Sequence, residues 1–506
     1  MIELDGASLT LAQLEAIADG NETVSLHPAA ASRVDRARIV VDEKVRGTDP
    51  VYGINTGFGA LAETAVPRDS LDQLQVNLLR SHAAGVGEPL PVRVVRATMA
   101  LRANVLAKGF SGIRRETLER VIQLLNRRVH PRVPSRGSVG ASGDLAPLAH
   151  LSLVLIGAGE ASVGDSPAVL SGRAALQQAG IEPVRLAAKE GLALINGTQP
   201  SAAVAALALV AAERLARAAD IAVSLSIDGL RGSVHPFDAR IHAARPHAGQ
   251  SASAANVRLL LEASAINRSH EHCGRVQDAY SLRCAAQVHG AARDALAFVR
   301  ASLLTEANAA TDNPMVFAEA GDIVSGGNFH GAPVAVAADV LSMAVAQLAT
   351  ISERRSDRLV NPVLSDLPPF LTAESGLQSG YMMAQVTAAA LVSEIKTLCH
   401  PASVDTIPTS ANREDHVSMS MGAALKAERA VALAARVLAV EILCACQAID
   451  LLSPLATSPR LQRVHAQVRE RVPPLRGDRP PAPDIEQIAA MIEDGTLESS
   501  CAGEVK

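Results

Sequence analysis

Apolar residues recur along this chain at helical spacing, in stretches far longer than the globular average of about 11–12 residues. Residues 201–225, SAAVAALALVAAERLARAADIAVSL, gather Glu213, Arg214, Arg217 and Asp220 toward one polar side of an otherwise apolar helix. Residues 333–360 open on Pro333, which the first helical turn tolerates because an N–H there has no partner in any case. Residues 420–452 span about nine turns at roughly 3.6 residues each. Strand signals are few. MVFAEAGDIVSGG (315–327) predicts a hairpin turning at EAGD, and ASVGDSPAVLSG (161–172) predicts another. PPLRGDRPPAPD (473–484) predicts a loop, followed by a short last helix from Ile485. Together the long helices predict a mainly α protein with an extended central bundle.

Composition narrows this picture. The 506 residues are 48% hydrophobic and 20% charged, an ordinary globular balance. A net charge of -5 offers no basic footprint for nucleic acid and no polybasic patch for a membrane. There is no Trp and only three Tyr, so the core must come from Ala, Leu, Val and Ile. Small side chains of this kind let helices approach closely. The start, MIELDGASLTLAQLEAIADG, lacks the basic and apolar regions of a secretory signal. The uncharged apolar run Ala202–Ala212 is too short for a bilayer, which needs roughly 20 residues. Six Cys without framework spacing predict reduced thiols and a cytoplasmic protein.

One stretch interrupts the helical pattern. Ser138–His150 reads SVGASGDLAPLAH, with Ala141, Ser142 and Gly143 in a row before Asp144. A hydrolytic set of Ser142, Asp144 and His150 is one reading, but the G-x-S-x-G order of a nucleophile elbow is missing. A phosphate-cradling loop would want a Lys-Ser/Thr pair after the glycines, and none follows. A turn in which Asp144 caps a helix starting at Leu145 is a purely structural reading. A further reading uses all three small residues chemically. The Gly143 nitrogen attacks the Ala141 carbonyl carbon, closing a five-membered ring with loss of water. Loss of the Ser142 hydroxyl as a second water leaves an exocyclic methylene, a strong electrophile. Gly at 143 lets the backbone bend back without a Cβ clash, Ser at 142 supplies the methylene, and a small residue at 141 avoids crowding.

GSVGASGDLAPLAH resembles the signature of the histidine, phenylalanine and tyrosine ammonia-lyases. VYGINTGFG (51–59), SHAAGVGE (81–88), GLALINGTQ (191–199), VQDAYSLRC (276–284), TDNPMVF (311–317), SGGNFHG (325–331) and TSANREDHVSM (409–419) also resemble motifs of that family, in family order. The resemblance implies the mainly α ammonia-lyase/fumarase-like fold. Residues 1–200 would form an N-terminal domain carrying the prosthetic-group loop, and 201–506 the long-helix bundle and C-terminal tail. It implies that Ala141-Ser142-Gly143 becomes 4-methylideneimidazol-5-one autocatalytically, with no external cofactor and no metal. It also implies a homotetramer with active sites shared between subunits, acting on a small amino acid.

Residue by residue, the resemblance makes Tyr52 the base that takes the β-proton, with Tyr280 assisting. A Tyr with an ordinary pKa of about 10 would have to be shifted down for that task. Arg283, three residues after Tyr280, would grip the substrate carboxylate as a fork. Asn196 and Gln277 would make polar contacts to carboxylate and prosthetic group, Phe329 would pack beside that group, and Asp144 would hold its loop. His82 and Glu414 favour an imidazole substrate, because a phenyl ring would leave the carboxylate buried and unpaired. The implied activity is elimination of ammonia from L-histidine to give trans-urocanate.

Arg413, directly before Glu414, stands where many histidine-selective members carry Gln, and a guanidinium there can offset the carboxylate. Ala279, Ala285, Ala286 and His289 also differ from the family pattern around VQDAYSLRC. A phenylalanine or tyrosine lyase and a 2,3-aminomutase remain open within this chemistry, and an inactive helical scaffold protein outside it. SHEHC (269–273) offers His270, His272 and Cys273 to zinc, but its spacing is not a standard tetrahedral set.

Overall fold

A computed structural model describes all residues except Thr48, Asp49, His272, Cys273, Arg275, Ser500, Ala502, Gly503 and Lys506. With 59% of residues helical and 7% in strands, the mainly α expectation holds. The three long periodic segments form helices Gln199–Gly229, Ala332–Val360 and Ser420–Leu451, and a fourth long helix spans Ala285–Ala307. Both expected hairpins are present. Met315–Phe317 pairs antiparallel with Asp322–Val324, and Glu160–Val163 with Leu170–Ser171. The short last helix expected from Ile485 runs Ala482–Glu493, three residues earlier because the first turn tolerates Pro483, and a single further turn, Thr496–Ser499, follows it.

The chain divides into two compact units, each discontinuous in sequence. The first comprises Met1–Leu207, Arg300–Asp339 and Pro401–Leu425; the second comprises Ala208–Val299, Val340–His400 and Lys426–Lys506. In the first unit, helix Val92–Ala107 is the centre of the core: every residue from Val94 to Ala107 is buried. It packs against helices Leu11–Ala18 and Arg115–Asn126, which bury apolar stripes. Short strands edge this core, including Val129–Pro131 antiparallel to Glu160–Val163.

The second unit is built from close helix crossings. A Cβ on Gly249 would lie 2.3 Å from the Gly290 carbonyl oxygen, and one on Gly290 would lie 2.3 Å from the Gln250 Cα. Helix Ala248–Leu261 can therefore touch helix Ala285–Ala307 backbone to backbone, as a core of small side chains allows. Ala285, Ala286 and His289, which depart from the family pattern, are all fully buried in this unit. Helices Ala332–Val360 and Ser420–Leu451 are apolar enough to cross a membrane by length and composition. Their most apolar stretches are 67% and 83% buried, as in core helices of a globular protein.

Candidate active site

Four loops of the first unit interlock around the small-residue triplet. Ser138, Gly140 and Asp144 anchor the first. The Ser418 hydroxyl donates to the Gly140 carbonyl (2.9 Å), the Met419 N–H to the Val139 carbonyl (2.8 Å) and the Gly331 N–H to the Gly140 carbonyl (3.2 Å). These bonds tie the segments around 140, 331 and 418 together. The fourth loop carries Asn196 and Gly197. The Asp144 N–H donates to the Gly197 carbonyl at 2.8 Å. Gly143 has φ +69°, and a Cβ there would lie 2.2 Å from that same oxygen. No other residue type fits at 143, as the cyclisation chemistry requires. Ala141 beside it is buried.

Asp144 occupies the N-cap position of helix Leu145–Leu155, but its side chain does not cap that helix. It accepts from the Ser138 hydroxyl (2.5 Å) and from the Ser201 N–H in the first turn of helix Gln199–Gly229 (2.8 Å). Burial pushes its carboxyl up, partly offset by these bonds. The hydrolytic set does not assemble, because Asp144 is committed to the two serines. His150 Nε2 accepts from the Gly85 N–H at 3.1 Å instead.

Glu414 meets the triplet directly. The Ser142 hydroxyl donates to its Oε1 at 3.1 Å, and the Thr409 hydroxyl to its Oε2 at 2.6 Å. Its negative charge is felt by both His82 and Tyr52. His82 ends helix Leu71–His82 and turns Nδ1 to the Leu78 carbonyl at 2.9 Å, which leaves Nε2 as the acceptor. Burial pushes its pKa down, although the Leu78 bond and Glu414 oppose this. Tyr52 lies in a turn over residues 52–55, with its ring edge-on to Phe58 at 6.3 Å. Here the environment runs against the sequence expectation of a lowered pKa. Burial pushes the Tyr52 hydroxyl up, Glu414 adds to this, and a backbone bond from Gly59 only partly offsets them. Arg413, whose charge could have blunted Glu414, is exposed and faces Glu63 at 3.8 Å.

Asn196 is 3% exposed, and its side-chain Oδ1 is buried without a partner among the described residues. A buried amide oxygen in that state is costly unless a ligand or group completes it. Arg102, fully buried, donates to the Asn196 carbonyl (2.7 Å), to Gln199 Oε1 (2.6 Å) and to the Ala193 carbonyl. Burial brings its pKa down to about 10, so it stays charged at neutral pH. Phe329, partly buried, lies in the turn between strand Asp322–Val324 and helix Ala332–Val360. Its neighbour His330 stacks on His416 at 5.8 Å.

The remaining candidates belong to the second unit. Tyr280 and Arg283 sit on the short helix Tyr280–Arg283, with the guanidinium 4.7 Å from the centre of the Tyr280 ring. Tyr280 is 70% exposed, and Arg283 Nε is buried without a partner among the described residues. Gln277 and Arg283 line a cavity of about 500 Å³ together with Arg231, His270 and Asp278. In the SHEHC segment, His272 and Cys273 lie outside the described residues. His270 turns both ring nitrogens to carbonyl oxygens, of Ile266 (3.0 Å) and Gly232 (3.1 Å).

A family model for aromatic amino acid lyases matches residues 9–470. The chain belongs to the aromatic amino acid lyase family. The family's enzymes are carbon–nitrogen lyases acting on small amino acids. Histidine ammonia-lyase of Anaeromyxobacter sp. (strain K) is 57% identical over 502 residues, covering 98% of this chain and 99% of the relative. The crystal structure of histidine ammonia-lyase from Trypanosoma cruzi matches with a TM-score of 0.93 at 44% identity, over 100% of this chain and 96% of that one. Tyrosine aminomutase from Streptomyces globisporus matches with a TM-score of 0.94 at 37% identity, over 100% and 99%. The ammonia-lyase fold expected from the motifs is therefore the fold of this family member.

Sequence reading missed Thr409, Ser138 and Arg102. Thr409 and Ser138 lie inside recognised motifs, but nothing in the motif tells which hydroxyl faces which carboxylate. Arg102 had a weak signal: a lone charge inside the apolar run MALRANVLA (99–107).

Proposed function

We propose that this lyase eliminates ammonia from L-histidine to give trans-urocanate, through 4-methylideneimidazol-5-one formed from Ala141, Ser142 and Gly143. The observation that carries this reading is the Glu414 carboxylate, within hydrogen-bond distance of Ser142 and close enough to act on His82. That pair suits an imidazole and penalises a phenyl ring. The fit of the prosthetic group rests on the missing space for a Cβ at Gly143 and the orphaned Asn196 oxygen. When formed, the group supplies an electrophile for the substrate amine.

The chain's own residues do the rest. Asp144 and Gly197 hold the triplet loop, and Asn196 offers its free oxygen to the group or to a donor on the substrate. Glu414 accepts a hydrogen bond from the imidazole, His82 presents Nε2 beside it, and Phe329 packs against the site. Tyr52 is the proposed base, with Tyr280 assisting. Because burial keeps Tyr52 a phenol at neutral pH, the base form is the minor one. Arg283 is the proposed carboxylate fork, and Gln277 a polar contact next to it. The working form is a cytoplasmic homotetramer whose subunits share active sites.

Incubation of the purified protein with L-histidine, L-phenylalanine and L-tyrosine in parallel tests this. The expected result is an ultraviolet-absorbing acrylate and free ammonia from histidine alone. Turnover of an aromatic amino acid, or a β-amino acid without net ammonia, would overturn the substrate and reaction.

A further inference from the structure

The described residues give the Glu414 side chain two donors, Ser142 on Oε1 and Thr409 on Oε2. Loss of the Ser142 hydroxyl in ring formation removes the first. Thr409 then remains as the donor that sets which way the carboxylate faces. The backbone reinforces this. The Thr409 N–H donates to the Glu414 carbonyl at 2.9 Å, and the Glu414 N–H to the Thr409 carbonyl at 3.4 Å. The turn that brings the two residues opposite each other holds Ser410, Ala411 and Asn412 at φ +49°, +53° and +64°. Three successive left-handed residues, none of them Gly, are sterically unfavourable, and such strain persists only where surrounding structure imposes it. A short strained loop closed by a side-chain bond onto a single carboxylate is built for aim rather than for stability.

We propose that Thr409 is a positioning residue for the lyase reaction. Its hydroxyl occupies Glu414 Oε2, so that Oε1, left without its Ser142 donor, is presented to the substrate imidazole. This rests on the proposed histidine reading of the site. Without the Thr409 hydroxyl the carboxylate is free to rotate about its last bond, and the geometry needed for turnover is met less often.

Steady-state kinetics of the parent protein, Thr409→Val and Thr409→Ser on L-histidine and L-phenylalanine test it, with intact mass and melting temperature recorded for each. Thr409→Val should lower kcat/KM for histidine about tenfold, mostly through kcat. Thr409→Ser should stay within about twofold, all three chains being two waters lighter than encoded and melting together. A Thr409→Val chain as active as the parent, or a Thr409→Ser chain as impaired as the valine variant, overturns the proposal. A parent active on phenylalanine alone overturns the histidine reading and the role of Thr409 with it. A parent active on histidine beside an unaffected valine variant overturns Thr409 only.

Discussion

Two buried charged clusters in the helices of the second unit, around Asp220 and Glu441, differ from the polar groups in the loops around the triplet. Among the helices, both charged clusters are closed by their own neighbours, although single polar atoms such as Asp228 Oδ1 and Tyr381 Oη are left without a partner among the described residues. Asp220 accepts from His289 Nδ1 (2.8 Å), Ser253 Oγ (2.6 Å), Asn256 Nδ2 (2.8 Å) and Arg293 Nη2 (2.6 Å). Burial alone would raise its carboxyl; Arg293 and His289 beside it hold it well below the usual range. Arg355 grips Glu441 in a fully buried fork, at 2.5 and 2.8 Å, and Ser226 donates to the same carboxylate at 2.7 Å. Around the triplet, Asn196 Oδ1 has no partner among the described residues, Tyr52 is pushed up and His82 down, and Ser410, Ala411 and Asn412 are strained. The two helix clusters close their charge on their own neighbours, while the Asn196 oxygen is left open beside the triplet, as the proposed reading of that site requires.

The sharpest break of that contrast is Ser142→Ala. It should remove the two-water mass loss and lower turnover by about 10⁴-fold while the fold persists. Intact mass and kcat check it. On the helix side, Arg355→Met leaves Glu441 buried without its charged partner and should cost about 3–5 kcal/mol of unfolding free energy in denaturant titration. Glu414→Gln should cost under about 1 kcal/mol in the same measurement, because its loop is half open. Equal losses would erase the distinction between the two regions.

Tyr52→Phe should lower kcat about a hundredfold. The sign of the pH effect follows from the raised Tyr52 hydroxyl: its phenolate grows as pH rises, so kcat in the parent should climb through the neutral range. The Phe variant should lose that climb. A pH effect concerns a buried group outside both regions. His130 is 3% exposed, with Nδ1 unpartnered among the described residues; burial, then Arg96 and Arg128, bring its pKa down to about 4. The folded state therefore disfavours the proton that the unfolded chain takes up near pH 6.5. Stability should fall as pH drops from about 6.5 toward about 4, by on the order of 2 kcal/mol after a discount for solvent screening, with His130→Gln flattening the slope. An unchanged slope in that variant would locate the acid sensitivity elsewhere.

The three longest helices were legible in sequence, since apolar periodicity over 25 residues or more admits few alternatives, whereas helices such as Val92–Ala107 and Ala285–Ala307 were not anticipated. The segment 333–360 became a helix from Ala332, and 420–452 one ending at Leu451. Family membership was legible in the triplet and its companion motifs, as the aromatic amino acid lyase match over residues 9–470 bears out. What was hidden depended on contacts between distant segments. Asp144 looked like a local cap and instead accepts from Ser201, 57 positions away. Tyr52 looked like a base needing a lowered pKa, and burial beside Glu414 raised it. Thr409 lies in a motif that does not mark its hydroxyl and Arg102 lies in none, so only the folded structure shows what they hold.

The central claim is that Glu414 selects histidine, and the kcat/KM ratio of L-histidine to L-phenylalanine in the parent and in Glu414→Gln tests it most directly. The account expects a parent that strongly prefers histidine. It expects a Gln variant, still two waters lighter than encoded, that loses most histidine turnover. Undiminished histidine turnover in that variant, or a parent that prefers phenylalanine, would contradict it.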